Sequence, residues 1–322
     1  MLPLTYLLFP NHIITFLIAM GIWGIYYELN LFSSFHFVHS YARLHEHSKT
    51  WGLIQAFQSS AYALAPIIVV QLLSFGYSIN FILVCLLLAV AIVLSLIFKK
   101  KFVKNRFNAD TQVPIKKSWT TEFRIWKLLL PKVWPLLLLE VALTTIDAGF
   151  WTIGTLLSQE LSETSKLGSL FITAYIAPAI LVGFALGKLN LDTGKKKIAL
   201  ISSAIAGLFL SGFHFIESIP VLLFLTAMTS LFMGAAIPEL KATFEDYVSR
   251  LKDKSNEMIG LQGSSTSLAY VIGPIIATFL ASQTGYKASF SILGVTLAVI
   301  AVTLLFVVPH KIKMPQKELE HA

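Results

Sequence analysis

One stretch of this chain occurs in it twice. Residues 259–280, IGLQGSSTSLAYVIGPIIATFL, align with residues 51–72 at a constant offset of 208. Gly52, Leu53, Ser59, Ala61, Tyr62, Pro66, Ile67 and Ile68 recur as Gly260, Leu261, Ser267, Ala269, Tyr270, Pro274, Ile275 and Ile276. Upstream, Phe16, Leu17, Ala19 and Met20 meet Phe224, Leu225, Ala227 and Met228 at the same offset. Downstream the offset becomes 209, and Gly76, Tyr77, Phe81, Ala89 and Val90 pair with Gly285, Tyr286, Phe290, Ala298 and Val299. Self-similarity at so long a period marks two copies of one structural unit, so any fold must give the two stretches equivalent places in two lobes.

The material of those lobes is apolar. Of 322 residues 56% are hydrophobic and 13% charged, with a mean hydropathy of +0.73, more apolar surface than a soluble core can hide. The net charge of +8 does not point to nucleic acid, because the basic residues sit in short gaps between apolar runs and not on one folded face. The single cysteine, Cys85, lies inside an apolar run and excludes an intramolecular disulfide or a thiolate metal cluster. The opening MLPLTYLLFP lacks the basic start and small-residue cleavage site of a secretory signal.

A helix needs about 20 mostly apolar residues to cross the hydrocarbon, where the backbone must satisfy its own hydrogen bonds. Nine stretches qualify: 13–39, 51–73, 77–98, 133–157, 168–188, 198–216, 219–240, 258–281 and 286–308. Alternate gaps between them hold 23 of the 25 Lys and Arg, the others only Lys166 and Lys287. Cytoplasmic loops retain basic residues, which places the C-terminus in the cytoplasm and the N-terminus outside. The expected organisation is an incomplete N-terminal lobe of three helices over 1–99, a basic cytoplasmic linker over 100–131 and a six-helix lobe with its tail over 132–322. The end of the linker has the character of an amphipathic surface helix. The repeat pairs the first three spans with the last three and leaves the middle three without counterparts. The offset aligns Met1 with Phe209, inside a span, so a further three helices are expected over about 75 residues upstream.

Two motifs accompany this layout. Ala65-Pro66 and Gly273-Pro274 stand at equivalent places in the repeat, and GKLNLDTGKKK, residues 187–197, forms a basic loop. With the parallel repeat and the long basic linker, they make the chain resemble the major facilitator superfamily of secondary transporters. The resemblance covers the whole chain, its nine helices standing for the last nine of twelve. It implies an all-α polytopic bundle of two lobes that rock about a midplane site. It also implies glycine-proline motifs in the fifth and eleventh helices, and a cytoplasmic gate loop at Gly187, Asp192, Gly194 and Lys195. Asp192 stands one place later than the usual acidic residue.

Acids inside a bilayer cost about 2.5 to 3.5 kcal/mol at a helix centre, so each needs a reason. Glu140, Thr144, Asp147, Trp151 and Thr155 recur at helical spacing and share one face, a polar stripe unfit to meet lipid. Glu28 lies near the centre of the first span, with Asn30, Ser33, Ser34, His36 and His39 beyond it. On the resemblance these are the seventh and fourth helices, both lining the cavity, so Asp147, Glu28 and Glu140 are the candidate proton carriers. Trp51, Gln55, Gln58 and Tyr62 share a face of the second span, and Gly263, Thr266 and Tyr270 the matching face of its copy. The expected substrate contacts are Asn30, Gln55, Gln58, Tyr62, Thr144, Trp151, Thr266 and Tyr270, a lining that fits amphipathic small molecules.

Each of these has a plainer reading. Gln55, Gln58, Thr144 and Thr155 serve equally well as interhelical hydrogen-bonding glue, at about 0.6 kcal/mol apiece. Glu140 lies near the cytoplasmic surface, within reach of Lys132 or a loop lysine. Glu239 reads as interfacial, and the two proline motifs as packing and kink devices. There is no phosphate-binding glycine loop for ATP, no metal set and no cofactor motif. The expectation is therefore a monomeric multi-pass protein of the cell membrane: a proton-coupled efflux transporter of drug-like or metabolite small molecules, with no cofactor and no nucleic acid. The alternatives are a polytopic membrane enzyme of the acyltransferase kind, using His39 and Asn30, and an inactive transporter fragment. The repeat tells against the enzyme.

Overall fold

The computed structural model describes residues 13–73, 77–103, 119–188, 193–251 and 254–309. Among them the chain forms ten α-helices and no strand: α1 (Ile13–Tyr41), α2 (His47–Leu73), α3 (Tyr77–Val103), α4 (Trp119–Trp151), α5 (Ile153–Thr164), α6 (Phe171–Lys188), α7 (Lys195–Ser211), α8 (Ile219–Val248), α9 (Ser255–Thr284) and α10 (Tyr286–Val307). Eight helical segments of the described residues are long and apolar enough to cross a membrane. The ninth expected span, 51–73, is helical throughout as part of α2 but is not among those eight.

The helices overrun the apolar runs that announced them, with three consequences for the site. First, the expected linker 100–131 is helical at both described ends, because α3 continues to Val103 and α4 begins at Trp119. Pro131, expected to bound the linker, lies inside α4 with Pro135, each removing one backbone donor. Second, the span expected over 133–157 breaks at Thr152 (φ −105°, ψ −84°), where α4 passes into α5. The Thr152 N–H is divided between the carbonyls of Ala148 and Gly149, and its hydroxyl donates to Ala148 at 2.8 Å. This break takes Thr155 off the polar stripe, and its hydroxyl donates to the Thr152 carbonyl at 2.6 Å. Third, α8 continues past 240 to Val248, so Lys241, expected in a polar gap, stands on a helix.

The described residues divide into two compact units. One holds α1, the second half of α2 and α3. The α3 span Ser78–Ile97 buries none of its side chains within this unit, as suits a helix whose solvent is lipid. The other unit holds residues 43–60, which include the first half of α2, together with α4 to α10. Within it α7 packs against both α8 and α10, α9 runs along α4, and α6 along α8. These contacts are close because small residues line them. A Cβ on Gly207 would stand 2.6 Å from the Ala298 nitrogen, and one on Gly273 3.1 Å from the Ala148 Cβ. Gly273 therefore packs α9 onto α4, the role expected of the glycine-proline motif. An aromatic stack of Phe150 and Tyr175 (centroids 3.8 Å apart) continues through Phe290, Phe171 and Phe213 and forms the core of the unit.

Candidate functional site

The stripe on α4 meets α6 and α9 through its two acids. Asp147 accepts a hydrogen bond from the Tyr175 hydroxyl on Oδ1 at 2.6 Å and from the Tyr270 hydroxyl on Oδ2 at 2.7 Å. The Trp151 indole, one turn along α4, adds a third donor. Three donors from three helices leave this half-buried carboxylate few free lone pairs. Tyr175 is held in place in turn: its ring is stacked on Phe150, and its backbone carbonyl accepts the Ser230 hydroxyl of α8.

Glu140, two turns away, is buried, and only Oε1 is engaged among the described residues. It accepts from Gln262 Nε2 and Thr266 Oγ1, both at 3.0 Å. Its partners are thus amides and hydroxyls of α9, not Lys132. The ammonium of Lys241, on α8, acts electrostatically on both acids. It rests over the Trp51 ring, 5.2 Å from the centroid. With every group ionised, two carboxylates and one ammonium would carry one net negative charge in surroundings of low dielectric, and one proton or one cationic group would neutralise it.

The remaining expected residues fall in two places. Thr144 and Thr266 are buried, and Trp151 is exposed on the α4 face. Gln55 is half-buried, donating to Ser59 Oγ at 3.3 Å, and Gln58 is also half-buried. These belong to the same unit as the acids. Glu28 and Asn30, both half-buried on α1, and Tyr62, half-exposed on α2, belong to the other unit.

Of the expected gate loop, the described residues 187–188 and 195–197 are helical. Gly187 is buried inside α6, where an added Cβ would stand 2.6 Å from Leu53 Cδ2. Gly194 takes a left-handed φ of 83° and opens α7, a backbone that favours glycine. Lys195, the first residue of α7, is buried, and donates to Asp246 Oδ1 at 2.8 Å and to the Leu44 carbonyl at 3.2 Å. Asp192 lies outside the described residues. His47 Nδ1 shares Asp246 Oδ1 at 2.8 Å, and Ser48 donates to Glu239 at 3.0 Å. Glu239 is wholly buried.

Sequence reasoning missed Tyr175, Lys241, Gln262 and the group of His47, Ser48, Glu239 and Asp246. Gln262 carried a signal, since it lies one helical turn before Thr266 on the same face. Tyr175 carried none, being a lone aromatic in an apolar run.

The sequence model of the Major Facilitator Superfamily matches residues 136–321, more than half of the chain, including the part of α4 that carries Glu140 and Asp147. The chain belongs to the major facilitator superfamily. It is an integral membrane protein and a transporter of the major facilitator type, and the members of this superfamily are not enzymes. No curated protein matches the chain. In this major facilitator protein the acid-bearing face is made by α4 with tyrosines from α6 and α9, and the cation by α8.

Proposed function

We propose that the protein is a proton-coupled secondary transporter that exports amphipathic small molecules by alternating access. The observation that carries the reading is the cluster of Glu140, Asp147 and Lys241, whose net charge changes by one with each proton bound. Glu140 is the better proton carrier of the two acids, because Oε2 makes no hydrogen bond among the described residues. Asp147 has both oxygens engaged by tyrosines. Asp147 with Trp151 and Tyr270 serves as the substrate-facing surface, and Thr144, Thr266, Gln55 and Gln58 as its polar surroundings. Glu28, Asn30 and Tyr62 are proposed as the contribution of the other lobe. On this reading the protein works as a monomer in the cell membrane with its C-terminus in the cytoplasm, and the segment with Arg43 and Lys49 lies on the cytoplasmic side.

The test is full-length protein in proteoliposomes loaded with ethidium, an amphipathic fluorescent cation, under an imposed pH gradient. The parent is expected to move dye against its gradient and carry protons the other way. Glu140→Gln keeps the acceptor for Gln262 and Thr266 but cannot titrate, and is expected to abolish uphill movement while leaving downhill exchange. Parent-like uphill transport by both Glu140→Gln and Asp147→Asn would remove these acids from the mechanism.

A further inference from the structure

The cluster contains one group that a proton carrier does not by itself need. Lys241 stands on α8, half-buried, and among the described residues no carboxylate lies within ion-pair distance of its Nζ. What holds it is the Trp51 ring. What acts on it through space is the pair Glu140 and Asp147. Other acids stand on the same helix. On its own helix Glu239 takes the Ser48 hydroxyl and Asp246 takes Lys195 and His47, while Glu245 is buried one turn along. From α6 and α9 the site presents Tyr175 and Tyr270, both bound to Asp147, with the neutral Gln262 and Thr266.

Trp51 belongs to the half of α2 that packs in the larger unit, and α2 changes unit after Ser60. That half is held by contacts without slack. A Cβ on Gly183 of α6 would stand 2.7 Å from the Gly52 carbonyl and 2.8 Å from Ala56 Cβ, and Trp51 is almost wholly buried. The Lys241 ammonium is therefore subject to two attractions. One is the face of an aromatic ring on α2, within the usual range of about 6 Å for a cation on a ring. The other is a pair of acids whose pull depends on how many of them carry a proton.

We propose that Lys241 links the charge of the acid pair to the packing of α2: when a proton neutralises one acid the ammonium stays on Trp51 and holds the first half of α2 in place. When both acids are ionised they draw the ammonium away, and α2 loses that contact. Lys241 is thus a positioning residue acting through Trp51. The inference rests on the proton-coupled reading above and adds to it the element that the proton moves.

The experiment follows the accessibility of α2 with Ser48→Cys as reporter, a near-isosteric change at a fully buried position of α2, with Cys85→Ser removing the native thiol. Labelling of full-length protein in nanodiscs by a small maleimide is measured from about pH 5.5 to 8.5, each rate divided by that of the unfolded protein at the same pH to cancel thiol ionisation. The normalised rate is expected to rise by roughly three- to tenfold as pH rises, the range a partly desolvated cation–π contact supports. Lys241→Met and Glu140→Gln should flatten the profile, and Lys241→Arg should keep it. Trp51→Leu should give fast labelling at every pH, which checks the link without touching the ionisable groups. A flat parent profile, a Lys241→Met profile like the parent's, or a Lys241→Arg profile like that of Lys241→Met in folded protein would each overturn the proposal. Uphill dye transport with a flat labelling profile would sink the link and leave the coupling reading standing. A Lys241-dependent profile without proton-driven transport would do the reverse.

Discussion

Gly183→Ala tests the close packing of α2 on α6 with a single carbon atom. The new Cβ would stand 2.7 Å from the Gly52 carbonyl oxygen and 2.8 Å from both the nitrogen and the Cβ of Ala56. None of these is the far end of a flexible side chain, so relief requires a shift of the α2 backbone by most of an ångström. Overpacking of this kind costs about 1 to 3 kcal/mol. At about 1.4 kcal/mol per factor of ten, that is roughly a five- to 150-fold change in the balance between packed and separated α2. The Ser48→Cys reporter reads this directly, and labelling by maleimide should accelerate within that range. The complementary change, Gly52→Ala, should act in the same direction, since its Cβ would meet Leu186 Cβ at 2.7 Å and the Gly183 carbonyl at 3.0 Å. If Gly183→Ala labels no faster than the parent and melts at the same temperature, the close contact is not there and the packing described for α2 is wrong.

Three further outcomes follow from the site and its surroundings. Tyr175→Phe and Tyr270→Phe each leave one Asp147 oxygen without its tyrosine donor, at a cost of about 1 to 3 kcal/mol, and the double change should lower thermal stability by more than either alone, read by thermal melting in detergent. Lys195→Met leaves Asp246 with His47 as its remaining partner, and a loss of about 3 kcal/mol is expected in the same melt, with Asp246→Asn partly restoring it. Gly194→Ala places a side chain at φ 83° and should cost about 1 kcal/mol, because nothing within 4 Å obstructs it and only the backbone is strained.

Much of this arrangement could be read from residue spacing. The steps between Glu140, Thr144, Asp147 and Trp151 put them on one face, and Tyr270 and Thr266 on the copied helix do meet the two acids. Helical period was enough because α4 is continuous over that stretch. It failed at Thr155, where the backbone turns at Thr152 for reasons that lie in local hydrogen bonding and not in hydropathy. Lys241 was misplaced for a different cause: an apolar run ends at its first lysine, whereas the α8 helix continues for as long as its buried side chains find partners. Glu239, expected at the interface, and Lys195, expected in a gate loop, are each met by a group distant in sequence, Ser48 and Asp246. Tyr175 shows the limit most clearly, since its role depends on a ring stacked against Phe150, a contact between helices that no periodicity records.

On the proposed mechanism the acids of α4 couple transport to protons. The most direct measurement is uphill dye movement driven by an imposed pH gradient in proteoliposomes holding full-length Glu140→Gln/Asp147→Asn protein. Loss of concentrative transport with downhill exchange preserved is the predicted result. Undiminished uphill transport with both acids replaced would contradict it.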